Sequence, residues 1–562
     1  IVGDVAGNAA KARAAHAEAA RLGADLVMLP ELFLAGYPPE DLVLKPAFQA
    51  ACRQALADLA PLTAGGAPAM LVGVPWVEDG QLHNSMALLA RGRIETLRHK
   101  VDLPNYGVFD EKRVFAPGPL PGPVSLDGFR LGVPICEDIW GEEVVECLAE
   151  TGAEILLVPN GSPFWKNKPD QRVQVAAARV VESGLPFVYL NMVGGQDELV
   201  FDGASFGLNP DRSLAFQLPA FEEVVALTVW RREAEGFVCV EGPKALVPEG
   251  EAAAYGACVL GLRDYVEANR FPGVVLGLSG GVDSALVAAI AVDALGPARV
   301  HCVMLPYRYT STASLEDAAL CAKALGCRLD TIPIAPAVDG FTEALRPLFA
   351  GTTPDLTEEN VQSRARGTIL MALSNKFGAM VVTTGNKSEM SVGYCTLYGD
   401  MNGGFNPIKD LYKMEVYALG RWRNAHRPPG ASGPGGIVIP ERILTKAPSA
   451  ELRENQTDQD SLPPYEVLDA ILERLVERER PLADIVAEGF DLATVKRIDH
   501  LLHLAEYKRR QAAPGVKITT RNFGRDRRYP ITNRFRDPGT PLAIAPLAAP
   551  KLVRPREDAM DF

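Results

Sequence analysis

The 562-residue sequence lacks several signatures that would have fixed its class at once. Its nine cysteines are scattered, with no CxxC pair and no metal-ligand spacing, so neither a zinc knuckle nor a disulfide framework is read from them. Reduced thiols in a cytoplasmic enzyme are the simple expectation. No apolar stretch is long enough to span a bilayer, and a secretory leader is not expected. Positive charge is not in surplus: the formal net charge is −13, against a duplex-DNA or anionic-membrane partner, both of which reward clustered Lys and Arg. The phosphate-binding string GxxxxGK followed by Ser or Thr is missing, which excludes a P-loop. Only seven histidines occur. The chain opens on Ile1 rather than Met, so residues ahead of it are to be expected.

What is present is ordinary globular composition, 47% apolar and 23% charged, in a chain too long for one core. Two large domains follow. Apolar runs at 26–30, 69–74, 131–135, 155–159 and 187–191 alternate with helical stretches, the pattern of an α/β layered domain. The Gly/Pro-bearing run 238–251 breaks this pattern, and a linker is expected over 241–255, between domains at 1–240 and 256–530. The second domain offers strands at 273–277, 300–305 and 379–383. The Pro/Gly-dense segment 427–436 reads as a mobile surface loop, residues 464–511 as mostly helical, and 531–562 as an irregular tail.

Gly277, Leu278, Ser279, Gly280, Gly281, Val282, Asp283 and Ser284 join the strand 273–277 to a helix over 285–295. Adjacent glycines let the backbone turn tightly and aim N–H groups at an anion, beside the positive end of a helix dipole. Ser279 and Ser284 add hydroxyl donors. Asp283 disfavours a bare phosphate and is expected to face a magnesium ion bound to one. The whole SGGVDS string resembles the signature of the ATP pyrophosphatases, which adenylate a substrate and release pyrophosphate. That group includes GMP, asparagine and argininosuccinate synthetases, tRNA thiolation enzymes and NAD synthetases, and the loop alone does not choose among them.

Two further strings do. Asn360 and Arg364, four apart at the head of an apolar helix running to Phe377, share a face on which an amide and a guanidinium suit a polar, anionic ligand. The string TTGNKSE (383–389) follows the strand 379–383 directly, at the carboxyl edge where α/β folds bind ligands. With YCTLYGDMN (394–402), Tyr412-Lys413 and the run 448–465, these resemble glutamine-dependent NAD synthetase over essentially the whole chain. The resemblance implies that Thr384 contacts ATP, that Asn360, Arg364 and Glu389 contact deamido-NAD, and that Lys508 reaches its nicotinate end. It also implies a magnesium ion shared by Asp283 and Glu389.

The first domain must then release ammonia. Glu31, Lys100 and Cys136 stand in strings like those of a nitrilase-like amidase: PELFLAGYP (30–38), the approach to LPNYGVFDE (103–111), and PICED (134–138). A thiol exposed at a strand end serves as nucleophile, Glu31 as base and then acid, and Lys100 as oxyanion partner whose charge helps hold Cys136 as thiolate. By the same resemblance Tyr106, Ser162 and Lys168 hold the glutamine. Cys147, Cys321 and Cys327 are expected in helices as packing residues.

The implied fold is α/β: an N-terminal nitrilase-like α-β-β-α sandwich plus a C-terminal Rossmann-like parallel-sheet ATP pyrophosphatase domain. The family's synthetase domains pair, so a homo-oligomer is expected, as is an internal tunnel for ammonia. The family also normally begins with a strand ahead of the equivalent of Ile1, central to the first sheet. A GMP-synthetase-like enzyme would need a Cys–His–Glu triad, and no histidine lies near Cys136 in sequence. A stand-alone amidase leaves SGGVDS and TTGNKSE without a role, and a non-catalytic scaffold leaves Glu31, Lys100 and Cys136 without one.

Overall fold

The computed structural model describes residues 1–233 and 236–541; most of the expected tail, 531–562, lies outside these. In the N-terminal unit α1 (Val5–Leu22), β1 (Leu26–Met28), α2 (Pro46–Leu59), β2 (Ala69–Glu78), β3 (Gln81–Ala90) and β4 (Arg93–His99) form one layer pair. β1 runs parallel to β2, and β2, β3 and β4 pair antiparallel. The second layer pair comprises β5 (Val124–Leu126), β6 (Phe129–Gly132), α3 (Glu143–Glu150), β7 (Ile155–Asn160), α4 (Lys168–Ser183), β8 (Phe187–Asn191), β11 (Phe206–Leu208) and β12 (Leu214–Gln217). Its sheet order is β12-β11-β8-β7-β6-β5, with a parallel centre. Leu71, Met86, Leu88, Leu131, Ile155 and Leu157 interdigitate between the sheets. Ala12 and Leu56 of α1 and α2 cover one outer face and Ala176 and Val180 of α4 the other. The expected α-β-β-α sandwich is present. Among the described residues β1 has no partner on its outer edge, which faces a cavity of about 920 Å³ lined by Leu26, Met28, Leu157 and Phe237.

Two hairpins complete this unit: β9 (Val193–Gln196) with β10 (Leu199–Asp202), and β13 (Val229–Glu233) with β14 (Gly236–Glu241). The expected linker needs correction. β14 continues to Glu241, and α5 (Gly250–Ala268) has already begun by residue 250, burying Ala253, Ala254 and Tyr255. Gly and Pro signals at 242–250 masked an alanine-rich helix start. The two units also pack closely: Gly195 N–H donates to Asp264 of α5 at 2.7 Å, and Phe164 inserts into the second unit's core.

That core surrounds β15 (Val274–Gly277), α6 (Val282–Leu295), β16 (Val300–Met304), α7 (Thr312–Leu325), β17 (Arg328–Thr331), α8 (Ala335–Leu345), α9 (Leu356–Phe377) and β18 (Met380–Val381). The sheet order is β17-β16-β15-β18, all parallel. A parallel sheet must be covered on both faces. Leu276 and Cys302 pack with α5 and α6, while Val275, Val303 and Val381 pack with Val338 of α8 and Ala365 of α9. α6 is apolar nearly all round and buried on every side, as a central helix requires. α10 (Lys387–Val392), α11 (Lys413–Ala425) and α12 (Glu441–Thr445) follow. A helical lobe of α13 (Tyr465–Leu472), α14 (Leu482–Ala487), α15 (Leu492–Leu504) and α16 (Glu506–Arg509) closes the unit around Leu468, Ile471, Ile485 and Ile498.

Segment 427–436 lacks regular structure, as expected, but it is anchored. Buried Arg423 bonds Asp293 at 2.9 Å and the Pro434 carbonyl at 2.6 Å, and Ser432 N–H donates to the Asp293 carbonyl. Tyr255 donates a further hydrogen bond to Asp293. Asp293→Ala strands the Arg423 guanidinium in the core, so denaturant unfolding should show a loss of about 3–5 kcal/mol. Cys147 and Cys321 lie in helices as expected. Cys327 does not: it follows the left-handed Gly326 cap of α7 and sits 3.7 Å from Cys302, sulfur to sulfur.

Candidate active site

Glu31 follows β1 in a sharp turn, with Leu32 at φ +47°. Gly73 of β2 permits this, because any Cβ there would collide with the Pro30–Leu32 backbone. The Glu31 carboxylate is wholly buried. It accepts from Lys100 Nζ and Asn84 Nδ2, each at 2.7 Å, and from Gly161 N–H at 2.8 Å. Lys100, equally buried, also donates to both oxygens of Glu111 at 2.9 and 3.0 Å, and Tyr37 donates to Glu111 at 2.8 Å. Two carboxylates thus share one ammonium. Burial pushes the Glu111 carboxyl up to about 7, with Lys100 pulling the other way.

Cys136 opens a short turn (Cys136–Ile139) with φ +47°, an uncommon conformation for a residue with a side chain. Asp138 fixes this turn to the Lys100 segment. One carboxylate oxygen accepts from Ile135 N–H, and the other accepts from Val101 and Asp102 N–H at 2.9 and 2.8 Å. Glu31, Lys100, Glu137 and Glu111 all act electrostatically on Cys136, and no histidine is among its main influences. Two expectations are corrected here. The thiol is buried rather than exposed, and β6 ends at Gly132, short of it. Burial, followed by Glu31, drives the Cys136 thiol well above its ordinary value, and Lys100 only partly opposes this. This direction favours a neutral Cys136 thiol over a thiolate held by Lys100.

Around this centre, Tyr106 donates to the Glu137 carboxylate at 3.0 Å. Ser162 is buried, its N–H bonded to Asn191 and its Oγ accepting from Arg172, which pairs with Asp202 at 2.8 Å. Lys168, first residue of α4, lies over Trp140 and Trp165 at 3.9 and 4.1 Å. Burial, then Arg172, lowers its ammonium to about 7.

In the second unit the loop 277–284 leaves β15 at the carboxyl edge of the sheet. Ser279 N–H donates to Ser284 Oγ and Gly281 N–H to Ser279 Oγ, at 3.1 and 3.2 Å. Gly280 has φ +79° and lies so close to Ser314 that a Cβ would strike its carbonyl. The loop 382–386 leaves β18 beside it and carries Thr384, half-buried. Asn386 caps α10, accepting from Glu389 N–H and donating to Asp283 at 2.8 Å. Lys413 Nζ joins the two acids, at 2.6 Å from Asp283 and 3.1 Å from Glu389. Burial alone would lower that ammonium, but Asp283 and Glu389 outweigh it and hold it above the usual range. Burial also lifts Glu389 to about 8, Lys413 opposing and Asp283 adding. Among the described residues no group of three or more His, Cys, Asp or Glu is set to hold a metal. Asp283 and Glu389 converge on the Lys413 ammonium, so a magnesium ion beside them would draw on the lone pairs Lys413 leaves free, together with waters and phosphate oxygens.

Asn360 and Arg364 do share a face of α9, and both meet the same segment. Asn360 Oδ1 accepts from Thr396 Oγ1 at 3.0 Å, and Arg364 Nε donates to the Leu397 carbonyl at 3.3 Å. Lys508 is half-buried and donates to the Gly393 and Cys395 carbonyls at the end of α10. Sequence reasoning assigned no role to Glu111, Asn84, Asp138 or Lys413, although three of the four lie inside or beside quoted strings. One signal was available for Lys413: a lysine in the first turn of a helix opposes the dipole and so calls for acidic company.

The geometry defines a carbon–nitrogen hydrolase unit joined to a nucleotide-using synthetase unit. The family descriptions agree: "Carbon-nitrogen hydrolase" matches residues 1–234 and "NAD synthase" residues 254–512. The chain is 57% identical to the glutamine-dependent NAD(+) synthetase of Rhodobacter capsulatus, covering 95% of this chain and 97% of that one. A solved glutamine-dependent NAD+ synthetase from Acinetobacter baumannii, in complex with ADP, is 44% identical. It matches 95% of this chain and 96% of its own with a TM-score of 0.75. The Cytophaga hutchinsonii enzyme, at 21% identity, shares the fold with a TM-score of 0.78 over 94% of this chain and 95% of its own. The chain belongs to the glutamine-dependent NAD(+) synthetase family. Among the described residues no helix is long and apolar enough to cross a membrane.

Proposed function

We propose that the chain makes NAD from deamido-NAD, ATP and glutamine by dividing the work between the Cys136 centre and the 277–284 loop. The observation that carries this reading is the presence in one chain of two separately assembled charged centres, Glu31–Lys100–Glu111 beside Cys136, and Asp283–Lys413–Glu389 beside the phosphate loop.

At the first centre Glu31 takes the Cys136 proton as the sulfur attacks the glutamine carboxamide, which suits a resting neutral thiol. Lys100 stabilises the oxyanion. Glu31 returns the proton to the departing ammonia, leaving a thioester that water cleaves to glutamate. Tyr106, Ser162 and Lys168 hold the substrate, Lys168 pairing with its carboxylate.

At the second centre ATP lies on Gly277–Ser284 and Thr384, and deamido-NAD on Asn360, Arg364, Glu389 and Lys508. The nicotinate carboxylate attacks the α-phosphorus and pyrophosphate leaves. Ammonia then attacks the acyl adenylate, forming the amide and expelling AMP. Lys413 stabilises negative charge developing at the phosphate. Magnesium, held by Asp283 and Glu389, would neutralise phosphate charge when bound. Ammonia passes inside the protein, since free ammonia is mostly protonated at neutral pH and lost to solvent.

Incubation with glutamine, ATP, magnesium and deamido-NAD should yield NAD and glutamate together; glutamate without NAD would sink the reading. Because Lys168 loses its charge as pH rises through about 7, KM for glutamine should climb above that pH. Lys168→Met should raise KM at low pH and flatten the profile. The unit also pairs as a homo-oligomer through exposed apolar residues at and before α9: Leu348 (78% exposed), Leu356 (69%) and Phe377 (59%). Light scattering on a Leu356→Asp, Phe377→Asp variant should then report monomer where the parent reports a multimer.

A further inference from the structure

The phosphate loop's peptide between Gly280 and Gly281 has no element of secondary structure to fix its orientation, and glycine on both sides allows it to flip. A trans peptide points its C=O and the following N–H in opposite directions. If the Gly280 carbonyl turned toward the serine hydroxyls of the loop, it would present an acceptor to any phosphate there and remove the Gly281 donor. The carbonyl is instead held from behind. Lys446, the cap residue at the end of α12, donates to Gly280 O at 3.2 Å and to Ser314 Oγ at 3.0 Å. Its ammonium also lies 3.5 Å from Asp317 of α7, which Arg442 of α12 bonds at 2.6 Å. Gly281 N–H consequently points the other way, toward Ser279 Oγ at 3.2 Å, on the side where Ser279 and Ser284 place their hydroxyls 3.1 Å apart.

We propose that Lys446 is a positioning residue for ATP: by holding the Gly280 carbonyl against α7 it keeps the Gly281 amide aimed at the phosphates. The inference rests on the assignment of residues 277–284 to ATP. Its side chain is 29% exposed and reaches the loop from outside, so it acts through the backbone rather than through the Asp283–Lys413–Glu389 centre.

The test is steady-state kinetics of the full chain with ammonium chloride as nitrogen source, together with calorimetric binding of inorganic pyrophosphate. Lys446→Met should raise KM for ATP and weaken pyrophosphate binding by roughly ten-fold, the worth of one charge-assisted hydrogen bond. It should leave kcat at saturating ATP and glutamine hydrolysis at Cys136 essentially unchanged. Lys446→Arg, which keeps a donor for Gly280 O, should restore most of the ATP affinity. An unaltered KM for ATP in Lys446→Met overturns the proposal. So does a general fall in kcat and glutamine hydrolysis without an ATP-specific shift, because that is the mark of a merely structural residue. Failure of the unsubstituted protein to bind either ATP or pyrophosphate would overturn the underlying assignment of the loop instead.

Discussion

Replacing Cys136 with alanine should reduce NAD synthesis from glutamine by more than about 10³-fold, because the proposed covalent route is lost with the thiol. Synthesis from ammonium salts should persist at the parent's rate. The contrast follows from placement: Cys136 is held by the Asp138 turn in the first unit, and none of its main electrostatic influences lies in the second. Alanine fits the space a buried thiol occupies, so the fold should survive. Assays with each nitrogen source in turn check this. Failure with both, in a folded protein, would contradict the division of labour between the two units.

Lys413→Met should have the complementary effect, lowering synthesis from either nitrogen source by roughly 10²–10³-fold while glutamine hydrolysis continues. The substitution removes the only ammonium bonded to both Asp283 and Glu389 among the described contacts. Loss of an opposite charge raises a carboxyl pKa. Glu389, already lifted to about 8, would then stay protonated to still higher pH. Stranding two half-buried acids also costs stability, so the residual glutamine hydrolysis serves as the internal control for folding. Equal loss of both activities would mean that Lys413 is structural.

Contiguous features were legible in the sequence. The phosphate loop is one string of glycines and hydroxyls between a strand and a helix, and the strands are apolar runs, so both the α/β classes and the loop's position follow locally. Glu31, Lys100 and Cys136 became legible through their strings rather than through any spacing of their own. What escaped was pairing across the chain. Glu111 reaches Tyr37, and Lys413 reaches Asp283, over separations that only the folded backbone closes. The state of Cys136 escaped for a related reason: the Lys100 charge was expected to help hold a thiolate, but burial and Glu31 act more strongly the other way. Composition misled at two places. Gly and Pro around 242–250 hid the start of α5, and the same residues at 427–436 suggested mobility where the Arg423–Asp293 pair pins the loop.

The most direct measurement of the two-site mechanism supplies glutamine labelled with ¹⁵N in its side-chain amide, together with excess unlabelled ammonium, and weighs the NAD formed. Internal delivery from Cys136 to the adenylate predicts NAD that is predominantly ¹⁵N-labelled despite the unlabelled pool. NAD labelled only in proportion to ammonia mixed in solution would contradict it.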